Sequence, residues 1–171
     1  NVIISGYVKH GNANHASHLM KDFMIPEGVM PDTTTIMTMV GACSVMRDLD
    51  GGRSLHSYLL YANFELEVLL VNALIDMYSK CGSLDEAHHS FLRMKHKDII
   101  SWTVMISGYI DHGCMSHAFR LFEEMQESGI SPTRHVAVCV LKACNCISFL
   151  DEGRLIHHVI IKGNLEADEA I

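Results

Sequence analysis

Twelve histidines and six cysteines are the residues of this 171-residue chain that could do chemistry, and the densest group of them is Cys139, Cys144, Cys146, His157 and His158. A structural zinc site draws its ligands in close pairs of the form C-x₂₋₄-C. Here Cys139 and Cys144, separated by four residues, stand at the outer limit of that spacing, and Cys144 and Cys146, separated by one, fall outside it. Cys43 and Cys144 also recur at one place 101 residues apart, as do His56 and His157, which is how packing residues behave. No metal and no cofactor are expected. His88-His89 and the pair His112 and His117 read as polar helix faces. A Cys–His nucleophilic dyad would need a local signature that is absent, so catalysis is not expected either.

The six cysteines show no dense even spacing, which fits thiols in a reduced compartment better than a disulfide framework. Thirteen basic against twenty acidic residues give a net charge of −7, which argues against simple electrostatic capture of a nucleic acid. Apolar runs such as 136–141 and 68–71 fall far short of the ~18 residues that a membrane span needs, so no membrane partner is expected.

What positions these side chains is an internal repeat. Asn72, Tyr78, Gly82, Ala87, Phe91 and Met94 are followed 31 residues later by Thr103, Tyr109, Gly113, Ala118, Phe122 and Met125, five of the six identical. The segment Ile4-Ser5-Gly6-Tyr7 recurs as Ile106-Ser107-Gly108-Tyr109. A second kind of unit recurs at an offset of 101, where Leu49-Asp50-x-Gly52-Arg53-x-x-His56 matches Leu150-Asp151-x-Gly153-Arg154-x-x-His157. Periods of 20 to 50 residues mark solenoids, whose units bury their apolar faces only against neighbours.

Within a unit the spacing is helical: Ala87, Phe91 and Met94 fall at i, i+4 and i+7, as do Ala118, Phe122 and Met125. Gly82 and Gly113 mark the turn between two helices, and Ser83-x-x-Glu86 reads as a capping box that opens the second. The expected units are 1–32, 33–67, 68–98, 99–133 and 134–168, with 169–171 opening a sixth. Beginning and ending within a unit, the chain reads as a piece of a longer array. Eleven methionines, among them Met77, Met94, Met105 and Met125 on or beside the apolar stripes, read as core filling.

Three stretches carry a resemblance: Val71-Asn72-Ala73-Leu74-Ile75-Asp76-Met77-Tyr78-Ser79-Lys80-Cys81-Gly82, Ser101-Trp102-Thr103-Val104-Met105-Ile106-Ser107-Gly108-Tyr109, and Leu121-Phe122-Glu123-Glu124-Met125. These are similar to the plant pentatricopeptide-repeat family, specifically its PLS subclass. Units 33–67 and 134–168 resemble the long L type, 68–98 the short S type, and 1–32 and 99–133 the P type. The resemblance implies an all-α, right-handed superhelical solenoid of antiparallel helical hairpins. Tetratricopeptide repeats are the neighbouring family and bind peptides, but their fixed length of 34 does not fit units of 31 and 35.

The resemblance also implies single-stranded RNA as partner, read one base per repeat by the fifth and last residues of each unit. The implied base-reading pairs are Asn1 with Asp32, Met37 with Glu67, Asn72 with Asp98, Thr103 with Thr133, and Val138 with Asp168. In the family an Asn–Asp pair favours uracil over cytosine, and Thr in fifth place resembles purine-preferring repeats. Met37 and Val138 offer no hydrogen bond, so from 5′ to 3′ the expected site is U, any base, U or C, a purine, any base. Leu69 and Ile100 in second place would pack against base faces, with Thr34 and His135 at the same place less typically. Packing between repeats is the competing account of Leu69 and Ile100. Lys9, Lys80 and Lys142 fall in first helices, while Asp85, Glu86, Glu123, Glu124 and Glu127 fall in second helices on the outer wall.

Many PLS-subclass proteins end in a deaminase-like domain marked by H-x-E followed by C-x-x-C. Neither motif occurs in these 171 residues. The chain is therefore expected to act as a guide for C-to-U editing of a mitochondrial or chloroplast transcript, working with a deaminase domain or editing-complex proteins, and not as the enzyme. The alternatives are a protein-binding helical scaffold and an organellar RNA stabilisation or splicing factor.

Overall fold

The computed structural model describes residues 2–10, 31–64 and 66–145, and among them every regular element is a helix. The helices are α1 (Val2–Lys9), α2 (Thr33–Met46), α3 (Leu49–Tyr61), α4 (Val68–Lys80), α5 (Leu84–Leu92), α6 (Ile99–Asp111), α7 (Met115–Glu127) and α8 (Arg134–Asn145). They fall into two compact units, one ending at Arg93 and the other beginning at Met94.

In the first unit α2 pairs with α3 and α4 with α5, while α1, α2 and α4 pack in succession. Ile36, Leu59, Leu70, Leu74, Ile75, Met77 and Phe91 are fully buried there. In the second unit α6 pairs with α7 and packs on α8, burying Met105, Ile106, Leu121, Phe122 and Met125. The residues of the stripes read from periodicity are buried: Ala87 and Phe91 in the first unit, Met94, Ala118, Phe122 and Met125 in the second. Met77 and Met105 are buried with them, so these four methionines fill cores.

One turn closes most of these helices. Ser83 N–H bonds to Tyr78 C=O and Cys114 N–H to Tyr109 C=O, each at 2.9 Å and each spanning five residues. Such a closure needs a left-handed residue just before the donor. Gly82 (φ 82°) and Gly113 (φ 72°) supply it without a Cβ penalty, whereas the 33–67 segment uses Arg47 (φ 54°) and Asn63 (φ 50°) at the equivalent places.

Helix starts depart from expectation at one point. Ser83 is the N-cap of α5, but its hydroxyl makes no cap bond. It donates instead to Glu86 Oε2 at 2.6 Å, because that carboxylate is turned towards Arg53 of α3. The reciprocal capping box lies elsewhere, between Asp98 and Ser101 at the start of α6.

Candidate nucleic-acid interface

The four helices α2, α4, α6 and α8 begin at residues 33, 68, 99 and 134, so Asp32, Glu67, Asp98 and Thr133 each stand just before a helix. These residues are caps. The Asp32 carboxylate accepts from Thr35 N–H at 2.8 Å, the Asp98 carboxylate caps α6, and the Thr133 hydroxyl accepts from Val136 N–H at 3.3 Å. Glu67 takes the N-cap position of α4 without a side-chain bond and stays exposed. Asp, Asn, Ser and Thr are the side chains that satisfy the open N–H groups of a first turn, so any base-reading role here is carried by a residue type that the helix start already requires.

The second residue of a first helix behaves differently from its neighbours. Leu69 is 60% exposed beside the fully buried Leu70, and Ile100 is 50% exposed beside the buried Ser101 and Trp102. Both side chains thus stand half or more in water, so packing between repeats would engage only part of each. Thr34, the corresponding residue of α2, is exposed as well. A residue three places on lies on the same side of a helix, so Leu69 shares a face with Asn72 and Ile100 with Thr103.

The fifth-place residues are less open. Met37, Thr103 and Val138 are half-buried, and Asn72 is only 4% exposed, with its amide oxygen shielded from solvent. The Thr103 hydroxyl donates to Ile99 C=O at 2.7 Å, turned back onto its own helix. Asn72 belongs to the first compact unit and Asp98 to the second; Thr103 and Thr133 both belong to the second. Asn1, Asp168 and the side chain of His135 lie outside the described residues, as do Cys146, His157 and His158.

The charge on α4 is locally compensated. Lys80 donates to Asp76 at 2.7 Å one turn away, and Ser44 of α2 donates to the same carboxylate oxygen at 3.3 Å. Of the acids on second helices, Asp85, Glu123, Glu124 and Glu127 are exposed, and Glu124 lies 3.7 Å from Arg120. Among the described residues no three His, Cys, Asp or Glu side chains gather in a way that could hold a metal ion, and no helix is long and apolar enough to cross a membrane.

Family models described as PPR repeat match residues 1–24 and 70–99, and one described as PPR repeat family matches 97–145. The pentatricopeptide repeat-containing protein At5g27110 of Arabidopsis thaliana is 40% identical over 90% of this chain, which spans 22% of that relative. The chloroplastic At1g11290 of the same plant is 32% identical over the whole chain, which spans 21% of it. The chain thus spans about a fifth of these relatives. The crystal structure of the pentatricopeptide repeat protein PPR10 from maize matches 96% of the chain with a TM-score of 0.74 at 24% identity, covering 24% of that protein. PPR10 in complex with an 18-nt psaJ RNA element matches 95% of the chain with a TM-score of 0.72 at 18% identity, again over 24% of its length. At these identities the likeness speaks to the fold.

Proposed function

Because the chain belongs to the pentatricopeptide-repeat family, we propose that it is part of a PLS-type array that holds single-stranded RNA one base per repeat. Units 33–67, 68–98, 99–133 and 134–168 would each offer a fifth residue and a closing residue to one base. The observation that carries this reading is the exposure of Leu69 and Ile100, two apolar side chains at the same place in successive first helices. An exposed aliphatic group one helical turn before the fifth residue is suited to lie against a base face, while the fifth residue meets the base edge.

The chemistry of the edge contacts follows from the side chains. An Asn amide both donates and accepts, and Asp can orient it directly or through water, which suits uracil. Asn72 is 4% exposed, so it can meet a base only by turning its amide out of the packing around α4. Lys80 is already shared with Asp76, so few phosphate contacts are expected and binding to this length of chain should be weak and only mildly salt-dependent. In the whole protein the array would guide C-to-U editing of an organellar transcript, with the deaminase chemistry supplied by another domain or partner. The chloroplastic names of some relatives support an organelle.

Equilibrium binding to short single-stranded RNAs that vary one base opposite unit 68–98 tests this reading. The parent should prefer U, and an Asn72→Thr, Asp98→Asn variant should move towards A. Absence of binding by either protein to any RNA at moderate salt would favour a protein-binding scaffold. Base-selective binding without loss of editing when the protein is removed from its organelle would favour a stabilisation or splicing role.

A further inference from the structure

Away from the positions assigned to bases, three contacts converge on one seam between the α2–α3 and α4–α5 hairpins. Arg53 on α3 reaches Glu86 on α5 as a fork, Nε donating to Oε1 at 2.9 Å and to Oε2 at 3.1 Å, and Nη2 donating to Oε2 at 2.9 Å. Forked pairing of this kind fixes direction as well as distance. Ser83 adds a third donor to the same carboxylate, and Asp50 lies 3.7 Å behind the guanidinium. One turn further along α3, His56 Nδ1 lies 2.9 Å from the Tyr78 hydroxyl, with the rings 5.7 Å apart. Beside Arg53 on the same helix, Gly52 lets fully buried Met77 come close, since a Cβ on Gly52 would collide with the Met77 sulfur.

The three residues contributed by α3 are the ones that the sequence repeats as a block, at Gly52-Arg53-x-x-His56 and again at Gly153-Arg154-x-x-His157. Their partners on the following hairpin are not shared by every unit. Thirty-one residues after Met77, Tyr78 and Glu86 stand Gly108, Tyr109 and His117. The α6–α7 hairpin therefore keeps the tyrosine but has neither the thioether nor the carboxylate. Its Tyr109 is stacked on His117 of its own hairpin, ring centroids 5.1 Å apart and 16° from parallel. Presented with that hairpin, Arg53 would face an imidazole in place of a carboxylate.

We propose that Gly52, Arg53 and His56 form a docking surface that selects the type of hairpin following it, accepting one that carries the Met77, Tyr78 and Glu86 set and rejecting one of the α6–α7 type. Alternation of unit types is then enforced by side-chain complementarity at the seam as well as by order along the chain. Specificity of this sort is a difference between the matched and the mismatched contact.

The test uses the 171-residue chain and amide hydrogen exchange of α3, with α7 as internal reference. Arg53→Glu and Glu86→Arg should each lower α3 protection about 2- to 5-fold, the range set by a well-formed exposed ion pair, and the double variant should recover most of it. Glu86→His, which installs the residue of the other hairpin type, should lower α3 protection to the same degree, and Met77→Gly with Glu86→His should lower it further. α7 should stay unchanged throughout. A double charge reversal no better protected than the single variants, or a Glu86→His chain with wild-type α3 protection, overturns the proposal. Should Met77→Gly prevent folding, the charge reversal and Glu86→His still decide the matter.

Discussion

Asp98 Oδ1 accepts from both the backbone N–H and the hydroxyl of Ser101, each at 2.8 Å, while Ser101 Oγ in turn accepts from Asp98 N–H at 3.2 Å. The residue assigned to close one repeat thus fastens the start of the next first helix. Asp98→Ala removes the cap and should cost about 1 kcal/mol of unfolding free energy, whereas Asp98→Asn keeps an acceptor and should change it little. Urea denaturation of both variants separates them. Equal loss in the two would show that the cap bond contributes nothing, and the Asn variant used to recode base preference would then need its own stability control.

Leu69 and Leu70 are adjacent but live in different solvents, the first exposed and the second fully buried. Leu70→Ala should destabilise by about 2–5 kcal/mol through transfer and cavity terms. Leu69→Ala should stay within about 0.5 kcal/mol of wild type. If Leu69 lies against a base, the same variant should weaken RNA binding by about 1 kcal/mol or more. Thermal unfolding together with RNA titration reads both quantities. A Leu69→Ala chain that loses stability and binds RNA unchanged would assign this side chain to packing.

The hairpins were legible in the sequence because their apolar period is strict and each unit repeats it. Ala87 and Phe91 announce the core of one hairpin, and their echo 31 residues later, Ala118 and Phe122, announces the next. Capping was legible only in part. Ser83 and Glu86 have the spacing of a capping box, yet the carboxylate is captured by Arg53, a residue 33 positions away that no local pattern connects to it. Asp98-x-x-Ser101 was the available signal for the box that forms. The burial of Asn72 was not legible either, because its fifth-place position says which face it occupies and not how closely neighbouring helices cover that face.

Arg47 ends α2 in the left-handed region at φ 54°, where Gly82 ends α4. A Cβ there costs roughly 1–2 kcal/mol, and Gly removes that strain while adding some entropy to the unfolded chain. Arg47→Gly should therefore raise unfolding free energy by about 0.5–1 kcal/mol. A chain that is destabilised instead would reveal that the arginine side chain makes contacts outweighing its backbone strain.

His56 is held below its ordinary imidazole value of 6.5, first by burial and then by the nearby Arg93 charge, with Glu86 opposing. Burial also lifts Tyr78 to about 12, so the phenol stays protonated through the range that matters. A lowered folded value means that the unfolded chain binds a proton more readily than the folded one. The stability that this group contributes is present in full above 6.5 and is lost as pH falls from there towards the folded value. Glu86 is held below the usual carboxylate range chiefly by its bond to Arg53, so its contribution persists to lower pH and fades only as the solution turns strongly acid. Unfolding curves from about pH 7.5 to about pH 5.5 should therefore show a decline centred on the histidine window. His56→Gln should flatten that decline while leaving the loss at lower pH in place. An unchanged slope in the variant would move the titration to one of the other eleven histidines.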